Sequence, residues 1–111
     1  MQKIAAPTLC LWLNSLLILF SAATGCVAAQ PPYEEYTLAR SAVRAAQESD
    51  SARFATAMWN KAEDNYRSGQ KAYKEAEYEN AKKYFSNAIQ YAEMAENATR
   101  LKKFQTGESF P

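Results

Sequence analysis

The side chains that most often carry chemistry are scarce in this sequence. Histidine is absent, and the two cysteines, Cys10 and Cys26, lie in or at the edge of an apolar N-terminal stretch. A folded part downstream therefore has no internal disulfide and no Cys/His zinc site, and no His or Cys for nucleophilic or general-base work. Carboxylates remain: Glu75, Glu77 and Glu79 alternate, and Glu93 and Glu96 stand three residues apart, which would put the last two on one helix face. Lys71, Lys74, Lys82 and Lys83 interleave with them, the pattern of a solvated face rather than of an acid-base pair. No catalytic residue, cofactor or metal site is expected, and the chain does not read as an enzyme. Seven tyrosines, Tyr33, Tyr36, Tyr66, Tyr73, Tyr78, Tyr84 and Tyr91, offer either a stacking surface for glycan or peptide or bulk for a core, since each ring is apolar with a polar tip.

The elements that must position these residues fit in one small domain. The chain has 111 residues, with 13 Lys and Arg against 12 Asp and Glu. Setting aside Lys3 leaves the two signs equal, so there is no electrostatic footprint for nucleic acid. The beginning has its own order: Lys3, then the apolar run Leu9 to Phe20 broken only by Asn14 and Ser15, then the small residues Ser21 to Gly25. Charged, apolar and small, in that sequence, is the layout of a secretory signal. The run falls short of the roughly 20 apolar residues a membrane-spanning helix needs.

Ala22-Ala23-Thr24-Gly25-Cys26 resembles the lipobox of bacterial lipoproteins. That resemblance implies alkylation of the Cys26 thiol with diacylglycerol, cleavage between Gly25 and Cys26, and Cys26 as the first mature residue. Val27 after the cysteine, in place of the Asp that retains many lipoproteins in the inner membrane, implies the outer membrane. The alternative is an ordinary signal peptide cut after Ala29, because Val27-Ala28-Ala29 also satisfies the small-x-small rule, giving a soluble periplasmic or secreted form. With acylation, two or more chains make a stable anchor, and residues 26–32 form a tether that reaches roughly 20 Å at most, its far end stiffened by Pro31-Pro32.

Beyond Pro32 the period becomes helical. Tyr36, Ala39, Val43 and Ala46 recur at spacings of three and four, with Leu38, Ala42 and Ala45 widening the stripe, which predicts a first amphipathic helix over Tyr33 to Gln47. Pro32 suits its first position, and Ser49, Asp50 and Ser51 break it and supply N-caps. From about Ser51 to Ala76, the residues Trp59, Ala62, Tyr66, Gly69, Tyr73 and Ala76 keep the same spacing. From about Tyr78 to Lys103, Tyr78, Ala81, Phe85, Ala88, Ala92 and Ala95 repeat it, with Tyr84, Tyr91 and Ala98 alongside. Two matched seams predict a packed antiparallel pair, with Gly69 kept small for close approach despite its helix cost of about 1 kcal/mol. On propensity alone, Ser51 to Lys103 also fits one helix of about 80 Å, because Glu75 to Glu79 contains neither Gly nor Pro.

Gly69, Tyr78, Ala81, Phe85 and Ala88 fall at the spacing of one tetratricopeptide-type helix hairpin, which the chain resembles there and which implies a turn near Glu75 to Glu79. More widely, Cys26, Pro31-Pro32, Tyr36-x-x-Ala39-Arg40-x-Ala42-Val43-x-x-Ala46, Trp59 before Ala62, Tyr78-x-x-Ala81 and the regular alanines through Ala98 resemble a family of small Ala-rich bacterial envelope lipoproteins known as a domain of unknown function. That resemblance implies an all-α fold and an envelope location, and brings no assigned chemistry.

The reading is an all-α protein. A signal peptide (1–25) and a tether (26–32) precede a small antiparallel three-helix bundle (33–103), built from a short first helix and a long helical hairpin, and 104–111 is a flexible tail. A core this rich in alanine buries little area, and small domains draw at most about 3 to 5 kcal/mol from a core, so association is expected. The expected partners are the membrane through Cys26, another envelope protein or a second copy bound through an Ala/Tyr helix face, and in the alternative reading peptidoglycan or an envelope enzyme bound by exposed tyrosines. The candidate packing and interaction face is Trp59, Tyr66, Tyr73, Tyr78, Phe85 and Tyr91.

Overall fold

The computed structural model describes residues 28–108. Gly25, Cys26 and the expected signal peptide lie outside the described residues. Those described form helices α1 (Tyr33–Glu48), α2 (Ser51–Phe54), α3 (Thr56–Lys74) and α4 (Tyr78–Thr106), with no strand among them. The all-α bundle built on a long helical hairpin is the expected architecture, and of the two courses open to Ser51 to Lys103 the chain takes the hairpin.

Alanine seams set the packing. α1 buries Ala39 and Ala46, α3 buries Trp59, Ala62, Gly69 and Ala72, and α4 buries Ala81, Phe85, Ala88, Ala92, Ala95 and Thr99. Ala39 clusters with Ala72, Ala81, Phe85 and Ala88, while Ala46 clusters with Trp59, Ala62 and Ala92. Ascending numbers in α1 thus match ascending numbers in α4 and descending numbers in α3, so α1 runs parallel to α4 and both run antiparallel to α3. Contact is most extensive between α3 and α4, next between α1 and α4, and slight between α1 and α3. Helix α4 is the spine on which the other two lie.

The α3–α4 turn is closed by backbone bonds instead of glycine. The Glu77 N–H donates to Ala72 O at 2.9 Å and the Ala76 N–H to Tyr73 O at 3.2 Å, the paired closure that ends many helices with a left-handed residue. Here that residue is Ala76, at φ 60°. The expected seam position of Ala76 is therefore corrected: it lies outside the helix and is exposed.

The second predicted helix is interrupted. At Ala55 the backbone turns to φ −137°, ψ 45°, and the Ala52 carbonyl, which a continuous helix would offer to the Thr56 N–H, accepts a bond from the Thr56 hydroxyl at 2.8 Å. A side chain that competes for a helix carbonyl favours such a break. Pro32 stands one residue before α1 rather than in its first position, and its carbonyl accepts the Tyr36 N–H at 3.0 Å. Asp50 precedes α2 without a side-chain cap bond and in the left-handed region. At the far end α4 continues to Thr106 and stops at Gly107, φ 72°, so residues 104–106 are helical where a tail was expected.

One polar contact sits inside this core. Ser51 and Thr99 are both fully buried, and the Thr99 hydroxyl lies 3.1 Å from that of Ser51. Ser51 in turn lies 2.9 Å from the Ser49 hydroxyl, which donates to Ala46 O at 2.9 Å. Protons pointing from Thr99 through Ser51 and Ser49 to that carbonyl satisfy the whole chain, and no described buried side-chain polar atom is left without a partner.

Candidate functional site

The bundle gathers rings at the end where α1 begins and the α3–α4 turn lies. Tyr36 of α1 stacks at 5.8 Å on Tyr73 and at 6.3 Å on Tyr66, which are seven residues apart on α3 and so share a face. Phe85 of α4 meets Tyr36 edge-on at 5.4 Å and Tyr66 at 6.1 Å. Tyr73 contacts Tyr33 at 6.1 Å and Tyr78 at 5.9 Å. Phe85 is fully buried and Tyr33 is 65% exposed, so the cluster grades from core to surface.

Two shallow clefts flank Tyr33. One, of about 320 Å³, is lined by Tyr33, Tyr36, Gln70, Tyr73 and Lys74. The other, of about 400 Å³, runs along Gln30, Pro31 and Pro32 to Glu35, Tyr78, Glu79 and Lys82. Burial, and then Tyr36, push the Tyr66 hydroxyl above its usual titration range; a hydrogen bond with Tyr33, and then burial, do the same for Tyr73. Both phenols are therefore neutral at physiological pH, available as hydrogen-bond groups beside apolar faces. Lys82 Nζ lies 3.0 Å from Glu35 and ties α4 to the start of α1. The Glu35 carboxyl is held below its usual value by its own backbone N–H and then by Lys82.

Of the expected face, Tyr66, Tyr73, Tyr78 and Phe85 come together here, joined by Tyr33 and Tyr36. Tyr36 was legible in the stripe of the first helix, but periodicity within one helix does not say which rings meet across helices. Trp59 and Tyr91 belong to the second cluster instead, where the Lys61 ammonium sits 5.3 Å from the Tyr91 ring. The structure does not bring Tyr84 into either cluster.

Two of the candidate carboxylates make local pairs: Glu96 with Arg100 and Glu77 with Asn80. The basic residues near the C-terminus are likewise engaged. Lys102 donates to Phe54 O, and Lys103 pairs with Asp50 at 3.6 Å. Among the described residues, no group of three or more Asp, Glu, Cys or His side chains could hold a metal ion. No described helix is long and apolar enough to cross a membrane.

Fold and site together define a small helical bundle whose distinctive chemistry is a graded aromatic cluster. The family model for the domain of unknown function DUF4398 matches residues 34–107, about two thirds of the chain, and the chain belongs to that family. No curated protein and no solved structure matches it.

Proposed function

We propose that this chain is a lipid-anchored structural and interaction protein of the bacterial cell envelope, acylated at Cys26 and held at the periplasmic face of the outer membrane. It binds another envelope protein or itself, and it is not an enzyme. The observation that carries this reading is the half-exposed tyrosine cluster beside Pro31 and Pro32. A tether from Cys26 enters the bundle at those prolines, so an anchored chain presents its aromatic clefts next to the membrane, where other envelope proteins lie. The core alanines Ala39, Ala46, Ala62, Ala81, Ala88, Ala92 and Ala95 are fully enclosed within the bundle, which leaves the tyrosine rim for the partner. In this reading the α3–α4 hairpin is a single tetratricopeptide-like unit, supported by the packing of Phe85 on Gly69.

Mass spectrometry of the membrane fraction is expected to find a mature chain that begins at acylated Cys26. A Cys26→Ser chain that still partitions with membranes at its processed mass would overturn the anchor. Pull-down from the native envelope, with Tyr33→Ala and Tyr73→Ala variants as controls, tests the rim.

A second reading, an accessory module for peptidoglycan, is favoured by the cleft of Tyr33, Tyr36 and Tyr73 with Gln70 and Lys74. Its rings offer stacking, its amide and ammonium suit acyl and carboxylate groups of a muropeptide. Titration with muropeptides, followed by tyrosine fluorescence, separates the two readings.

A further inference from the structure

Helix α4 carries a second apolar seam that its own bundle covers only along one edge, where Tyr91 and Ala98 are half-buried and Tyr91 packs on the Trp59 cluster. Tyr84, Asn87, Tyr91, Met94, Ala98, Leu101 and Gln105 follow one another at spacings of 3, 4, 3, 4, 3 and 4, the repeat that keeps one face of a helix against another helix. This seam is distinct from the core seam through Ala81, Phe85, Ala88, Ala92, Ala95 and Thr99. Tyr84, Met94 and Leu101 are exposed by 40%, 49% and 59%. Apolar residues on two sides make α4 the least one-sided of the three long helices, as suits a helix with neighbours on both sides. Helices α1 and α3 supply only one of them.

We infer that this seam pairs with the same seam of a second copy of the chain. Its chemistry is self-complementary: Asn87 and Gln105, the polar breaks in it, each carry both donor and acceptor, so an identical surface can satisfy them, and such breaks fix register between paired helices. Charge permits the pairing, because the seam holds no ionised residue and the chain downstream of Lys3 has equal numbers of acidic and basic side chains. From Tyr84 to Gln105 the strip is about 32 Å long and about 10 Å wide. At about 320 Å² for each copy it is smaller than the about 800 Å² per partner of a standard complex, so the pair is reversible. The inference takes from the proposed function only that the chain has a partner, and it does not depend on acylation of Cys26.

Photochemical capture suits a reversible pair. The full-length chain, purified in non-ionic detergent with benzoylphenylalanine in place of Met94, is irradiated and its products are weighed. The expected result is a covalent species of twice the chain mass, with both halves carrying peptides of this chain. Its yield should fall about tenfold, the factor set by 1.4 kcal/mol, when Leu101→Lys is added. Circular dichroism should show full helicity in that variant because Leu101 is exposed; Asn87→Lys gives a second test at another exposed position. Equal yields with and without both lysines, a dimer from the probe placed at Gln47 on exposed α1, or no dimer at all would overturn the pairing while leaving the Cys26 anchor and the tyrosine-rim pull-down untouched.

Discussion

The ring of Phe85 lies against the backbone of Gly69: a Cβ built on that glycine would stand 2.7 Å from both Cδ1 and Cε1 of the ring. Alanine is the better helix former by about 1 kcal/mol, yet overpacking costs about 1 to 3 kcal/mol. The clash is expected to dominate, so Gly69→Ala should lower the melting temperature. Phe85→Ala should cost about 3 to 5 kcal/mol through the cavity it leaves. In a double-mutant cycle, Phe85→Leu should relieve part of the Gly69→Ala loss, since residues in contact couple. Strict additivity of the two substitutions would remove this account of why a glycine sits in mid-helix.

Ala76 occupies the left-handed region at φ 60°, a conformation that costs a residue with a Cβ about 1 kcal/mol or more. Ala76→Gly should therefore stabilise the hairpin by up to about 1 kcal/mol, some of it offset by the added freedom of glycine in the unfolded chain. Urea denaturation reads the shift directly, and a lower midpoint would contradict the turn geometry.

Ser51→Ala removes the middle hydroxyl of the buried chain. The single Thr99 proton, released from Ser51, turns to the Ala95 carbonyl 2.8 Å away, and Ser49 keeps that of Ala46, so no donor is orphaned. The expected loss is about 1 kcal/mol, the net worth of an ordinary hydrogen bond. A loss of several kcal/mol in thermal melts would mean that the hydroxyls act as a unit.

The Glu35–Lys82 pair sets a pH window. Glu35 is depressed, so the stability it adds is present at neutral pH and is lost as pH falls from the ordinary carboxylate value of 4.5 through the lowered one. Lys82 is raised, chiefly by its hydrogen bond to Glu35, so its share holds up to the ordinary value of 10.5 and is lost as pH rises through the raised one. Glu35→Gln should flatten both limbs slightly. Unfolding midpoints at pH 3, 7 and 11 provide the check, and identical acid limbs in the two chains would count against the pair.

The two long seams were readable because alanine and aromatic residues recur every three or four positions, and that pattern survives any uncertainty about helix ends. The stops were harder to read. Glu75 to Glu77 has no glycine or proline because the turn is held by the Ala72 and Tyr73 carbonyls, and a left-handed alanine leaves no mark in composition. The break at Ala55 is equally silent, since its only side-chain signature is a threonine hydroxyl on Ala52 O. Thr99 continues the spacing of Ala95 by one more step, but a polar residue there reads as surface until Ser51, 48 positions away, is seen opposite it. The tyrosine cluster was half legible: every ring but Tyr33 lay on a predicted stripe, whereas the division between Tyr36 with Phe85 and Trp59 with Tyr91 depends on the parallel course of α1 and α4.

That course also ranks the helices by how readily they come loose. Helix α1 fully buries only Ala39 and Ala46 and is separated from α4 by residues 49–77, while α3 and α4 meet through a turn of three residues. Contacts between near neighbours form early in folding and distant ones late, and elements with few buried contacts open at lower free energy than the whole. Amide hydrogens in α1 should accordingly exchange with deuterium ahead of those in α3 and α4. Each such excursion bares Tyr66, Tyr73 and Phe85 while the hairpin stays folded.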